Sequence, residues 1–357
     1  MLASRRILSY FIIVLLFVCV ILASESTTNN TWVVIVNTSR YWFNYRHAAN
    51  AVIVYQLVKT LGISEDKIIL MNAFDIANDI RNPSPGTVHY TGAYGMEVWP
   101  YDEMIVDYTD NEVSVESFIS LLTGRPRAEL YGKAQLKSNQ NSSILIYMAG
   151  HGGDEFFKFH DNQELSAQNL ALTFEEMHIK GRYKDILFIL DTCQASTMSN
   201  YITSPHIATL ASSAKGENSY AYNTDESLGV AIVDRFTHSM SEYFRSIMKY
   251  IPNADIGNGQ RKAQIRSDHT LHDLHRSFNT ERLHSTATLI LSPGTKDPKH
   301  IRLNRFFGGF KQSQTNSKAA KAVAATAKSK SFSVPMNVSQ VTATYKEEYV
   351  KKMLNIS

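Results

Sequence analysis

Two short segments of the chain carry residue types able to do nucleophilic chemistry. Ile186-Leu187-Phe188-Ile189-Leu190 runs into Asp191-Thr192-Cys193-Gln194, and the run Ser143 to Ala149 leads into Gly150-His151-Gly152-Gly153-Asp154. A thiol attacks only as the thiolate, and with an ordinary pKa of about 8.5 it needs a neighbouring base at neutral pH. Histidine is the side chain that holds such a proton near pH 7. Acyl transfer also needs donors for the oxyanion of its tetrahedral intermediate, and the N–H groups of Gly152 and Cys193 stand where the chain leaves the two runs. A third polar group should orient the imidazole, and Asn44 is the candidate. Each residue alone has a plainer reading: a single cysteine is as readily a buried inert thiol, and a single histidine beside a turn is more often a structural hydrogen-bonding group. The glycines around His151 and the matching strand-end positions favour chemistry, because glycine lets the backbone approach a ligand closely.

Cysteine usage sharpens the choice. The sequence holds two cysteines, Cys19 and Cys193. Arg5 and Arg6 precede an apolar run from Ile7 to Leu22, followed by Ala23, Ser24 and Ser26. This reads as a signal peptide over residues 1–24, cleaved near the small residues, rather than as an uncleaved anchor. Cys193 is then the single thiol of the mature chain, with no internal disulfide open to it in an oxidising lumen. Sequons at Asn29, Asn37, Asn141, Asn337 and Asn355 agree with a secretory route. Asn29 and Asn141 are the better acceptors, whereas Asn37 follows an apolar strand too closely.

The formal charge of +3 falls to +1 without Arg5 and Arg6, and from Gly308 onward eight lysines face only Glu347 and Glu348. The body therefore carries about five net negative charges, which argues against nucleic acid as a partner. The positive charge belongs to a Lys/Ala/Ser-rich tail, residues 308–357, whose weak apolar face predicts a flexible segment. No later run of about 18 apolar residues follows, so the sequence predicts no carboxyl-terminal membrane helix.

The elements that must position these residues are legible as buried strands and crossover helices. Trp32 to Val36, Lys67 to Met71, Ser143 to Ala149, Ile186 to Leu190 and Ile207 to Ala211 are short apolar runs with polar exits, as expected of parallel strands buried on both faces. Helices are predicted over Tyr45 to Leu61, Val113 to Leu122, Ser166 to Lys180 and Leu228 to Tyr250. Asn72 to Pro100 reads as an extended surface excursion, and Ala287 to Leu291 as one more strand. The predicted fold is α/β, a mostly parallel central sheet flanked by helices on both faces, over residues 25–307. In such sheets ligands bind at the carboxyl ends of strands, where His151, Cys193 and Asn44 all fall.

Phe43-Asn44-Tyr45-Arg46-His47, Ile146-Tyr147-Met148-Ala149-Gly150-His151-Gly152-Gly153 and Leu190-Asp191-Thr192-Cys193-Gln194 resemble the motifs of the legumain-like cysteine peptidases of caspase-type fold. Within that group they are similar to the GPI-anchor transamidase branch, as are Asn82-Pro83, Asp107-Tyr108, Leu122-Thr123-Gly124-Arg125, Ala211-Ser212-Ser213 and Asp234-Arg235. The resemblance implies an endoplasmic reticulum enzyme acting with membrane subunits of a complex. It would cleave the carboxyl-terminal attachment signal of precursor proteins, hold the new end as a thioester on Cys193, and pass it to the ethanolamine amine of the GPI glycolipid. It also implies Arg46, Ser212 and Ser213 as substrate-pocket residues and requires no cofactor for the chemistry. A structural Ca2+ site of the family maps onto Glu65, the Ile68 carbonyl and Asp107, although Ile105 stands in place of a carboxylate. Asn78 stands where some relatives carry a cysteine bonded to a partner. The rival functions are a soluble legumain-type asparaginyl endopeptidase and a non-catalytic lumenal scaffold.

Overall fold

The computed structural model describes residues 30–308 except 93–94, 102–103, 127–131, 256–260 and 267. The signal segment, the basic tail and the sequons at Asn29, Asn337 and Asn355 lie outside the described residues. The chain begins with β1 (Thr31–Asn37), α1 (Tyr45–Thr60) and β2 (Ile68–Asn72). A hairpin of β3 (Thr87–Gly92) and β4 (Gly95–Pro100) follows, then β5 (Tyr108–Thr109) and α2 (Val115–Thr123). β6 (Ser143–Ala149) leads into the short β7 (Gly152–Gly153), β8 (Phe156–Phe159) and β9 (Gln163–Ser166), then α3 (Ala167–Ile179). After β10 (Asp185–Asp191) and β11 (Ile207–Ala211) come the hairpin β12 (Ala221–Asp225) and β13 (Val230–Asp234), and α4 (Arg235–Ile247). The hairpin β14 (Met248–Asp255) and β15 (Arg261–Ile265), α5 (Leu271–Ser277) and β16 (Thr288–Leu291) complete the named elements.

Seven strands form the central sheet in the order β16-β11-β10-β6-β1-β2-β5. All neighbours are parallel except β16, which runs antiparallel to β11. The apolar runs sort by alternation onto two faces. Val33, Ile35, Leu145, Tyr147, Leu187 and Ile189 pack with α1 and α4. Val34, Val36, Ile146, Met148, Phe188 and Leu190 pack with α2 and α3. With cores on both faces the middle strands read as continuous apolar runs, which is the mostly parallel α/β architecture the sequence predicts.

The register matters most for function. Asn37 pairs with Ala149, and Ala149 pairs with Asp191, so β1, β6 and β10 end in one row. Thr38, Gly150 and Thr192 then leave the sheet side by side, and His151 and Cys193 follow one residue later on adjacent strands.

Two readings need correction. The excursion over residues 72–100 contains the β3–β4 hairpin. The helix predicted from Leu228 begins only at Arg235, because Val230 to Asp234 is a strand paired with β12. That segment is short, apolar and rich in β-branched residues, and the hairpin partner decides in favour of a strand. Among the described residues no helix is long and apolar enough to cross a membrane.

Candidate active site

The turn after β10 is held by two serines. Thr192 N–H donates to Ser212 Oγ at 3.1 Å, while the Ser212 and Ser213 hydroxyls donate to the Thr192 carbonyl at 2.9 and 2.8 Å. Ser213 Oγ also accepts from Ala195 N–H at 3.1 Å. Between these anchors Gln194 takes a left-handed conformation, with φ 51°, which turns the chain sharply and leaves Cys193 half-buried. The Cys193 N–H makes no hydrogen bond among the described residues. Ser212 and Ser213 are both fully buried. Their hydroxyls are therefore spent on the cysteine turn, which corrects the expectation that these side chains line a substrate pocket.

His151 leaves β6 between glycines for steric reasons. A Cβ on Gly150 would overlap Thr38 Oγ1 and the Phe157 ring, and one on Gly152 would stand 2.7 Å from Thr192 Oγ1 and 2.9 Å from the Phe156 carbonyl. The His151 carbonyl accepts from Lys158 N–H at 2.9 Å. Residues 151 and 158 are thus a hydrogen-bonded pair, and the next pair, Gly152 with Phe157, is the non-bonded one of the antiparallel ladder. The Gly152 N–H consequently points away from β8.

Asn44 ends a short 3-10 turn before α1 and is buried. Its Nδ2 donates to the Arg40 carbonyl at 2.7 Å. A carbonyl can only accept, so the amide is oriented with Oδ1 facing His151 Nε2, 2.8 Å away. Nε2 must then carry the proton, and the lone pair of neutral His151 sits on Nδ1. Burial, followed by the Arg46 guanidinium, holds His151 below the ordinary histidine range. His47 packs edge-to-face on His151 at 4.9 Å and places its Nδ1 2.7 Å from Ser39 Oγ. Burial, then Arg46 and His151, keep His47 well below the usual range, so it is neutral.

Beneath these rings lies a polar layer that the sequence did not disclose. Asp234 accepts from Arg46 Nε at 3.1 Å and from Asn50 Nδ2 at 2.6 Å. Asp191 accepts from the Thr237 hydroxyl at 2.6 Å and from Ser219 at 2.8 Å. Tyr147 OH meets the Thr237 hydroxyl at 2.6 Å. Burial raises both carboxyls, and the Asp191 charge raises Asp234 further. Arg46 is thus tied into the layer under the site and joined to the Phe43 carbonyl at 3.2 Å. The one available signal was a carboxylate at the carboxyl end of a buried strand, a feature shared by Asp191 and Asp234.

The calcium expectation can be tested on the donors. Glu65 Oε1 accepts from Tyr55 OH at 2.7 Å and from Lys59 Nζ at 2.9 Å. Asp107 Oδ2 accepts from Leu70 N–H at 2.9 Å. Ca2+ takes about 6–8 oxygen ligands. Here an ammonium already sits on one of two carboxylates and Ile105 replaces a third, so these side chains do not fit a calcium cage.

A half-buried thiol next to a base with a defined free lone pair, with two outward backbone N–H groups, is the apparatus of thiol-dependent acyl transfer. Comparison with known proteins gives the family of the chain. The Peptidase C13 family matches residues 31–253, and the chain belongs to this family of cysteine-dependent, legumain-like enzymes. The GPI-anchor transamidase of Schizosaccharomyces pombe is 39% identical over 286 residues, covering 80% of this chain and 71% of that protein. That of Saccharomyces cerevisiae is 39% identical over 276 residues, 77% of this chain and 63% of its own length. The human GPI-anchor transamidase is 38% identical over 290 residues, 81% of this chain and 69% of its own. The structure of caspase-1 from Spodoptera frugiperda overlaps with a TM-score of 0.41 at 11% identity, covering 80% of this chain and 92% of that one.

Proposed function

We propose that this chain is the catalytic subunit of a GPI-anchor transamidase. Cys193 is the nucleophile, His151 the general base and acid through Nδ1, and Asn44 the group that fixes the imidazole. His151 Nδ1 takes the thiol proton, and Sγ attacks the carbonyl carbon at the attachment site. The N–H groups of Gly152 and Cys193 stabilise the oxyanion. As the intermediate collapses, the C–N bond breaks and Nδ1 returns its proton to the leaving amine. The thioester carbonyl is then attacked by the ethanolamine amine of the glycolipid. The amine gives its proton to Nδ1, an amide forms, and the thiolate leaves. A neutral, depressed-pKa His151 suits the first step, because the base is unprotonated at neutral pH.

The observation that carries this reading is the row of strand ends, which sets His151 and Cys193 on adjacent exits, taken with transamidases as relatives over most of the chain. In this reading the chain works in the endoplasmic reticulum lumen, held at the membrane by partner subunits, on precursors bearing a carboxyl-terminal signal. Nucleic acid has no place in it. The test is complementation of cells lacking transamidase activity with wild type, Cys193→Ala and His151→Ala. Wild type should restore surface GPI-anchored proteins and both variants should not. Hydrazine, a small amine, should trap the precursor as its hydrazide only where Cys193 is intact. Rescue by Cys193→Ala would refute the nucleophile. Rapid hydrolysis of asparaginyl peptides by the purified chain alone would favour the endopeptidase.

A further inference from the structure

Beside the site stands an aromatic ledge with no role in the chemistry above. Tyr41 is 49% and Phe43 61% exposed, and their rings lie nearly parallel, 5.8 Å apart at 20°. Phe74, just after β2, extends the ledge, 6.4 Å from Tyr41. The ledge is fixed to the catalytic apparatus. Asn44 N–H donates to the Tyr41 carbonyl at 3.0 Å, and Arg46 Nη1 donates to the Phe43 carbonyl. Tyr41 also sits at φ 72°, ψ 152°, a region that only glycine enters freely. A bulky residue is held there only when its surroundings over-determine it, and such strain clusters at ligand clamps.

The identity of the ligand follows from the two substrates. Attachment signals have small residues around the cleavage site, and their apolar stretch begins only after a polar spacer of about 8–12 residues. At about 3.3 Å per residue that stretch lies roughly 25–40 Å along the chain, too far for a ledge adjoining Asn44. The acceptor fits better. Its amine must surrender a proton to His151, so it approaches from the imidazole side. The amine is carried on a phosphate and a sugar. A sugar ring presents a face of C–H bonds to the negative face of an aromatic ring.

We propose that Tyr41 and Phe43 form the platform on which the sugar next to the ethanolamine phosphate of the acceptor glycolipid lies. This rests on the transamidase reading. The platform raises the local concentration of the amine over water at the thioester, and so favours transfer over hydrolysis.

The test uses the assembled complex with a precursor substrate and two acceptors, the GPI glycolipid and hydrazine. Phe43→Ala, and Tyr41→Gly, which suits the local backbone, should each raise the glycolipid KM about ten-fold. Hydrazide formation should stay within about two-fold, and Phe43→Trp should restore glycolipid transfer. Three outcomes overturn the proposal: an equal fall with both acceptors, no change with either, or loss of partner subunits from the purified complex. If wild type forms hydrazide but no glycolipid product, the transamidase reading itself fails, a result separable from any effect of these variants.

Discussion

Removing Ser212 Oγ or Ser213 Oγ tests how the turn that carries Cys193 is built. In Ser213→Ala the Ala195 N–H loses its acceptor, but the Thr192 carbonyl keeps the Ser212 hydroxyl. In Ser212→Ala the Thr192 N–H is orphaned, and the carbonyl keeps Ser213. Each buried orphan costs about 1–3 kcal/mol, so each single variant should lose that much stability. The double variant strands a third group, the Thr192 carbonyl, and should exceed the sum of the singles by a further 1–3 kcal/mol or so. Urea unfolding of the full chain reads this out through tryptophan fluorescence, since Trp32 and Trp42 are buried, with the slope m unchanged. Additivity to within about 0.5 kcal/mol would mean that the two hydroxyls do not share the carbonyl, and the account of the turn would be wrong.

Asn44→Asp places a carboxylate against His151, which favours the imidazolium and raises its pKa by about 1–3 units. The acid limb of kcat/KM for hydrazide formation should move up in pH accordingly, whereas an unmoved limb would place the base elsewhere. Gly152→Ala pushes a Cβ into Thr192 and the Phe156 carbonyl. Displacing one oxyanion donor should lower kcat about 10²–10³-fold with KM little changed, as single-turnover kinetics can show. His47 is held neutral in the fold, while the unfolded chain binds its proton below about pH 6.5. Its contribution to stability is therefore lost as pH falls from about 6.5, at up to about 1.4 kcal/mol per pH unit. The raised Asp191 and Asp234 act in the opposite sense, and His47 Nε2 lies 3.7 Å from Asp234 Oδ2, so the comparison is made between Asp234→Asn and Asp234→Asn/His47→Gln, whose difference isolates the histidine. Equal slopes for the two proteins between pH 7 and 5.5 would contradict burial of a neutral His47.

The sheet was legible because β1, β6, β10 and β11 are apolar runs bounded by polar exits, and burial on both faces leaves little else such runs can be. That placed His151 and Cys193 at strand ends before any geometry was known. The hairpins were not legible: Phe156 to Phe159 and Ala221 to Asp225 are short, and their partners lie a turn away rather than in a period. Val230 to Asp234 merged with the helix after it for the same reason. The polar layer was hidden for another reason. Asn50 meets Asp234, 184 residues away, and Tyr147 meets Thr237, 90 residues away, and no local pattern announces such pairings. Ser212 and Ser213 show the converse error, where polar residues near a site were taken for its surface and prove to be its internal scaffold.

The order β10-β6-β1 carries a further consequence for biosynthesis. The strand that leads into His151 lies between one neighbour made well before it and one made after it, so His151 and Cys193 come together only once β10 has docked on β6. Contacts of such long sequence separation form late. A nascent chain therefore holds Cys193 apart from His151 until the sheet has closed. The meeting of Cys193 with His151 is in this way tied to completion of folding.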